Sequence, residues 1–196
     1  MRTRYLAVLL VLAATPACAA AGDGSKAAPV PQAPAVNPDA QVQKAFADRV
    51  QQYLELRKKE GAQLPRLSDE SNPAQITAHQ KSLLKRLQEA RRGVPRGEIF
   101  DEDIERVIRQ LLANALAREG SAPRQAIRDE DPGQIPVSVN GAYPTTAPLP
   151  TVPPQALLAL PRLPGEELEY RFLGRRLILL DTRANMIVDY MDNALP

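Results

Sequence analysis

His79 and Cys18 are the single histidine and the single cysteine of the 196 residues, and they bound the chemistry that the chain's own side chains can do. Tight transition-metal sites use several His, Cys or clustered carboxylate ligands. A lone imidazole therefore predicts no metal site. His79 follows Ile76 by three residues and precedes Leu83 by four, so it reads as a hydrogen-bonded histidine at the boundary of a helix face. The densest acidic run, Asp101, Glu102, Asp103 and Glu105, lacks the glycine and the distal glutamate of a calcium loop. It reads as negative charge at a helix start, where the dipole favours it.

Nucleophilic catalysis finds no motif either. There is no G-x-S-x-G, and Ser68, Ser71, Ser82, Ser121 and Ser138 have no base beside them in sequence. Glu166 and Glu167 with Glu169, or Asp189 with Asp192, supply carboxylate pairs of the kind glycosidases use. No aromatic platform for a sugar accompanies them. Phosphate loops and dinucleotide fingerprints are absent. The expectation is a protein that is not an enzyme and takes no cofactor. A hydrolase whose site assembles only in three dimensions is the alternative.

The N-terminus carries a different kind of information. Arg2 and Arg4 precede an apolar run from Tyr5 to Ala14, and Pro16 leads into Ala17-Cys18-Ala19-Ala20-Ala21. This basic, apolar, small-residue order predicts a secretory signal over residues 1–21, with cleavage near Ala19 or Ala21. The run is about half the ~20 residues that a spanning helix needs. Cys18 offers a second outcome. Lipobox sequences place a Leu-type residue, a small residue and Gly or Ala before a lipidated cysteine; here Thr15, Pro16 and Ala17 stand there, so only Ala17 fits. Ordinary cleavage gives a periplasmic or secreted protein. Lipidation of Cys18 gives an outer-membrane lipoprotein with the same role.

Composition limits the partners. Two of the 25 basic residues lie in the signal, which leaves 23 against 23 acidic residues, a neutral mature chain. That excludes the strongly basic surface of a nucleic-acid binder. Basic residues gather locally on the second predicted helix, at Lys81, Lys85, Arg86, Arg91 and Arg92, and offer weak contact with an anionic surface. With no disulfide available, stability must come from an apolar core.

The elements that would position these groups follow from caps and periodicity. Residues 22–36, with Pro29, Pro31 and Pro34 and few large apolar groups, predict a disordered tether. Residues 37–120 predict a helical unit. Asn37-Pro38 and Asn72-Pro73 pair a capping residue with proline at the first helical position, and Gln75 completes a capping box. Val42, Phe46, Val50, Tyr53 and Leu54 stripe the first helix. Ile76, Leu83, Leu84 and Leu87 stripe the second, and Ile104, Val107, Ile108, Leu111, Leu112 and Leu116 the third. Gly61, Gly93 and Gly120 are the stops. Residues 121–164 predict a proline-rich strap, with a short strand at Val137-Ser138-Val139, a turn at Asn140-Gly141 and one helical turn near Pro153-Pro154.

Residues 165–196 turn to β pattern. Leu168, Tyr170 and Phe172 alternate with Glu169 and Arg171, Gly174-Arg175 makes a tight turn, and Leu177 to Leu180 is an unbroken apolar run. Met186 to Met191 closes a three-stranded antiparallel meander, with a closing helix as the alternative. The expected class is α+β, three amphipathic helices followed by the strap and the meander. The order of Tyr170, Phe172, Gly174, Leu177, Leu179, Asp181, Ile187 and Val188 resembles the C-terminal unit of the RcnB-type nickel/cobalt homeostasis proteins of the bacterial periplasm and related domains of unknown function. That resemblance covers under a quarter of the chain. It implies a periplasmic accessory or scaffold role, with a protein of the envelope as partner. It does not carry metal binding across, because only His79 is present.

Overall fold

The computed structural model describes residues 37–195 except Asp69. The expected signal, Cys18, the expected cleavage positions Ala19 and Ala21 and the expected tether lie outside the described residues. The fold is α+β. Helices α1 (Pro38–Gly61), α2 (Pro73–Ala90), α3 (Glu102–Arg118), α4 (Ala122–Asp129) and α5 (Pro154–Ala159) accompany strands β1 (Gly141–Ala142), β2 (Leu168–Leu173), β3 (Arg176–Asp181) and β4 (Met186–Met191). Among the described residues no helix is long and apolar enough to cross a membrane.

Local signals start the three long helices. The Asn37 side chain accepts from the Asp39 amide at 3.0 Å. Asn72 and Gln75 form a reciprocal capping box at 3.0 and 2.8 Å. Asp101 caps α3 by accepting from the Ile104 amide at 3.0 Å. Each bond satisfies an amide that the first helical turn leaves without a partner.

The sheet is antiparallel, in the order β1-β4-β3-β2. Its helix-facing side carries Tyr170, Phe172, Leu177, Leu179, Met186, Val188 and Met191, which share one core with Phe46, Val50, Leu87, Ile104, Ile108 and Leu112 of the helices. Phe46 stacks on Phe100 at 5.9 Å, and Phe100 meets Tyr170 at 6.4 Å. A smaller cluster, Tyr143, Leu173, Ile178, Leu180 and Ile187, covers the opposite face.

A bulge in β4 re-aims one carboxylate. Leu179 pairs with Asp189 but Leu180 pairs with Ile187, so Val188 is the extra residue. Ile187 belongs to the outer cluster and Val188 to the main core, yet Tyr190 again packs on the outer cluster and Met191 in the core. Strict alternation would send Asp189 outward. The inserted residue instead turns Asp189 toward the helices, as bulges re-aim side chains.

Three expectations need correction. Val137-Ser138-Val139 is not a strand: the Gly141 amide bonds back to the Ser138 carbonyl at 3.0 Å, which closes a turn, and Asn140 takes a left-handed φ of 60°. The turn therefore falls one residue early, and Gly141–Ala142 pairs with Ile187 and Met186 to make the sheet four-stranded. In the segment expected as strap, Ala122–Asp129 is a helix. Pro123 reads as a breaker in sequence, but proline in a first helical turn costs no hydrogen bond.

Candidate functional site

Polar side chains gather where α1 and α2 meet the turn after β3. Tyr53 and Arg57 lie one turn apart on the inward face of α1. Both reach Asp181, the last residue of β3: the Tyr53 hydroxyl donates to Oδ2 at 2.7 Å, as does Arg57 Nε at 2.7 Å. The Ala184 amide donates to the other carboxylate oxygen at 2.8 Å. Asp181 is fully buried, and its charge is met by Arg57 and by two neutral donors. Burial, then the Asp181 charge, push the Tyr53 phenol well above its ordinary range, against the opposing pull of Arg91 and Arg57.

Outside this cluster opens a cleft of about 500 Å³. Arg57, Lys58 and Gly61 of α1, His79 and Gln80 of α2, and Thr182 and Arg183 of the β3–β4 turn line it, with Leu67, Ile76 and Leu83 as its apolar wall. Gln80 ties the walls together by donating to the Thr182 carbonyl at 3.3 Å. Arg57 also faces Glu167 at 3.7 Å. A second groove, about 440 Å³, runs between α5 and β2, lined by Leu157, Leu158, Leu163, Tyr170, Arg162 and Arg171 among others.

Of the residues singled out in the sequence, Ser71, Ser82 and His79 line one small pocket of about 280 Å³ beside the cleft, and the rest are spread over the molecule. His79 is half-buried in the cationic cleft, and no serine hydroxyl is hydrogen-bonded to it among the described residues. Ser82 donates to the Ala78 carbonyl at 2.9 Å, and Ser68 and Ser71 face one another at 3.4 Å. No group of three or more His, Cys, Asp or Glu comes together to hold a metal ion among the described residues. The run at Asp101 is consumed locally: Asp101 caps α3 and pairs with Arg49 at 2.7 Å, and Glu105 pairs with Arg96 at 2.8 Å and Arg109 at 2.5 Å.

The carboxylate pairs do not converge on one cavity. Asp189 is fully buried and accepts from the amides of Gly97, Ile99, Phe100 and Tyr190 at 2.8 to 3.1 Å. Asp192 sits at the surface, 2.6 Å from Arg176. Glu166 is exposed, Glu167 faces Arg57, and Glu169 pairs with Arg171.

The basic face expected on α2 is smaller than its sequence suggests. Arg91 is only 3% exposed. It donates to Asn140 Oδ1 at 2.7 Å and to the Val188 carbonyl at 3.2 Å, and its guanidinium lies over the Tyr53 ring at 5.2 Å. Arg86 is tied to Glu60 at 2.7 Å and to Gln63, and Arg92 to Glu89. Lys81 and Lys85 remain exposed and without an ion-pair partner among the described residues.

Sequence reasoning missed Tyr53, Arg57, Thr182 and Arg183 as a group. One signal was available: Tyr53 and Arg57 are spaced four apart beside an apolar stripe, so the arginine shares the buried face. Comparison with protein-family models, with curated proteins and with solved structures finds no match to this chain.

Proposed function

We propose that this is an exported, non-enzymatic binding protein of the cell envelope, which holds a protein partner in the groove between α5 and β2. The observation that carries this reading is Leu158, at 85% the most exposed large apolar side chain among the described residues, with Leu157 beside it at 51%. Together they border the 440 Å³ groove. Contiguous exposed apolar surface beside a groove is characteristic of interaction sites. The rim adds a charge preference. Arg162 has no ion-pair partner among the described residues, and Arg171, paired through Nη2 with Glu169 of the same rim, keeps its buried Nε without a hydrogen-bond partner. The occupant is therefore an apolar segment of another envelope protein that carries a carboxylate. The signal-like N-terminus supports export, and the likeness of the C-terminal unit to periplasmic accessory proteins points the same way.

The test is site-specific photocrosslinking in the producing cell. A photoreactive residue at position 158 should give one discrete protein adduct, weakened in the R162E background. The same residue at position 85, exposed on α2, should give none. Equal labelling from both positions, or no adduct from position 158, would refute the docking surface.

A further inference from the structure

The cleft between α1, α2 and the β3–β4 turn has no part in that partner site, and its chemistry is different. Among the described residues its lining contains Arg57, Lys58, His79 and Arg183 and no carboxylate. Three acidic groups nearby are already committed: Asp181 is buried against Tyr53 and Arg57, Glu167 faces Arg57, and Glu60 is paired with Arg86. Lys58 and Arg183 have no ion-pair partner among the described residues. Arg57 is held by Asp181 through Nε, which leaves Nη2 without a partner among the described residues. A guanidinium fixed from behind in this way is oriented before any ligand arrives, so less conformational freedom is lost on binding.

The end of α1 does not oppose a negative ligand as strongly as a bare helix C-terminus would. Its last carbonyls are capped within the chain: Lys58 accepts from the Ala62 amide at 3.0 Å, Glu60 from Gln63 at 3.3 Å, and Gly61 from Leu64 at 3.0 Å. The opposite wall is apolar and open to solvent, with Leu67 39% and Ile76 49% exposed. The cleft thus sets unpaired cations beside an uncovered apolar wall, in a volume typical of small-ligand sites.

We propose that this cleft binds a phosphate-bearing amphiphile. The phosphate head lies among Lys58, Arg183 and the free edge of Arg57, and the alkyl stem lies along Leu67 and Ile76. A phosphate fits better than a carboxylate because its three terminal oxygens accept from three cations arriving from α1 and from the β3–β4 turn, whereas a carboxylate offers two oxygens in one plane.

Calorimetric titration of the protein purified from the producing cell tests this with octyl phosphate, inorganic phosphate and octanoate. Octyl phosphate should bind saturably at one site, at least tenfold tighter than either of the other two. K58E and R183E should each weaken it at least tenfold, R183K should stay within threefold of wild type, and I76S should shrink the advantage over inorganic phosphate to under threefold. K85E, on the exposed side of α2, should change nothing. Thermal melts keep the variants comparable, since Lys58, Arg183 and Ile76 are all exposed.

Cosedimentation with phosphatidic acid vesicles, against phosphatidylcholine vesicles, separates the sources. Vesicle capture that R183E abolishes and octyl phosphate competes assigns the head group to a bilayer lipid. Octyl phosphate binding without vesicle capture assigns it to a soluble amphiphile. Both outcomes support the phosphate site. Absence of binding in both assays, binding that K58E and R183E leave unchanged, or octanoate binding within threefold of octyl phosphate would overturn it.

Discussion

The Tyr53 hydroxyl donates to the Asp181 carboxylate at 2.7 Å across 128 residues of sequence, and the bond joins the first helix to the third strand. Both partners are buried, so the bond operates where water competes little.

This pairing predicts an alkaline limit to stability. Burial raises the Tyr53 phenol well above its ordinary value, and burial raises Tyr170 too. The unfolded chain releases these protons near pH 10, whereas the folded chain keeps them, so folding stability is complete below about pH 10 and falls as pH rises beyond it. Thermal melts between pH 8 and 11.5 should show a flat region and then a steep decline. The Y53F/Y170F double variant should start lower, because Asp181 loses a donor, and then decline less steeply. An equal slope in both proteins would refute the assignment.

Asp189 should matter far more than Asp192, although both are acids near the C-terminus. Removing the Asp189 carboxylate leaves the buried amides of Ile99 and Phe100 without acceptors, at about 1–3 kcal/mol for each. D189A should therefore lose at least ~2 kcal/mol in denaturant unfolding. D192A removes half-exposed ion pairs and should stay within about 1 kcal/mol of wild type. The reverse order would point to a role for Asp192 beyond the surface.

Arg91 and Arg92 are neighbours in sequence and opposites in environment. R91A removes the hydrogen bonds to Asn140 and Val188 and opens a hole against Tyr53, and should cost about 2–4 kcal/mol. R92A loses one exposed contact with Glu89 and should fall within about 0.5 kcal/mol of wild type. Paired urea titrations measure the difference. Equal midpoints would show that Arg91 does not anchor α2 to the sheet.

Processing is checked on the N-terminus of the purified protein. Mass spectrometry should find a chain beginning between Ala20 and Gly22, without lipid. A diacylated or triacylated Cys18 would establish the lipoprotein instead.

What was legible in sequence was local. Asn37-Pro38, Asn72-Pro73 with Gln75, and Asp101 act on amides two or three residues away, so each start signal carries its own partner. The stripes of α1 to α3 and the hairpin of β2 and β3 are legible for the same reason. The cleft was not, because Arg57 and Arg183 are separated by 126 positions and only the tertiary fold brings them to one wall. Arg91 reads in sequence as one more cation on a solvated helix face; nothing within a few residues announces that Asn140 and Val188 will enclose it. The bulge at Val188 is hidden because Met186 to Met191 is apolar enough to read as a regular strand. One inserted residue there decides which way Asp189 points.

The order of the sheet bears on how the chain reaches this state. The strand that lies between β1 and β3 is β4, which leaves the ribosome after every helix. Until Met186–Met191 emerges, Arg91 has no Val188 carbonyl to bond and the loop before α3 has no carboxylate to organise it. The part of the helical core that faces β4 is therefore covered late, although α1 already packs against α2 and α3. Contacts this distant form late, and the uncovered part invites association in the meantime. Closure of the core therefore waits on Met186–Met191, which sets Val188 and Met191 among the helix side chains and completes the sheet between β1 and β3.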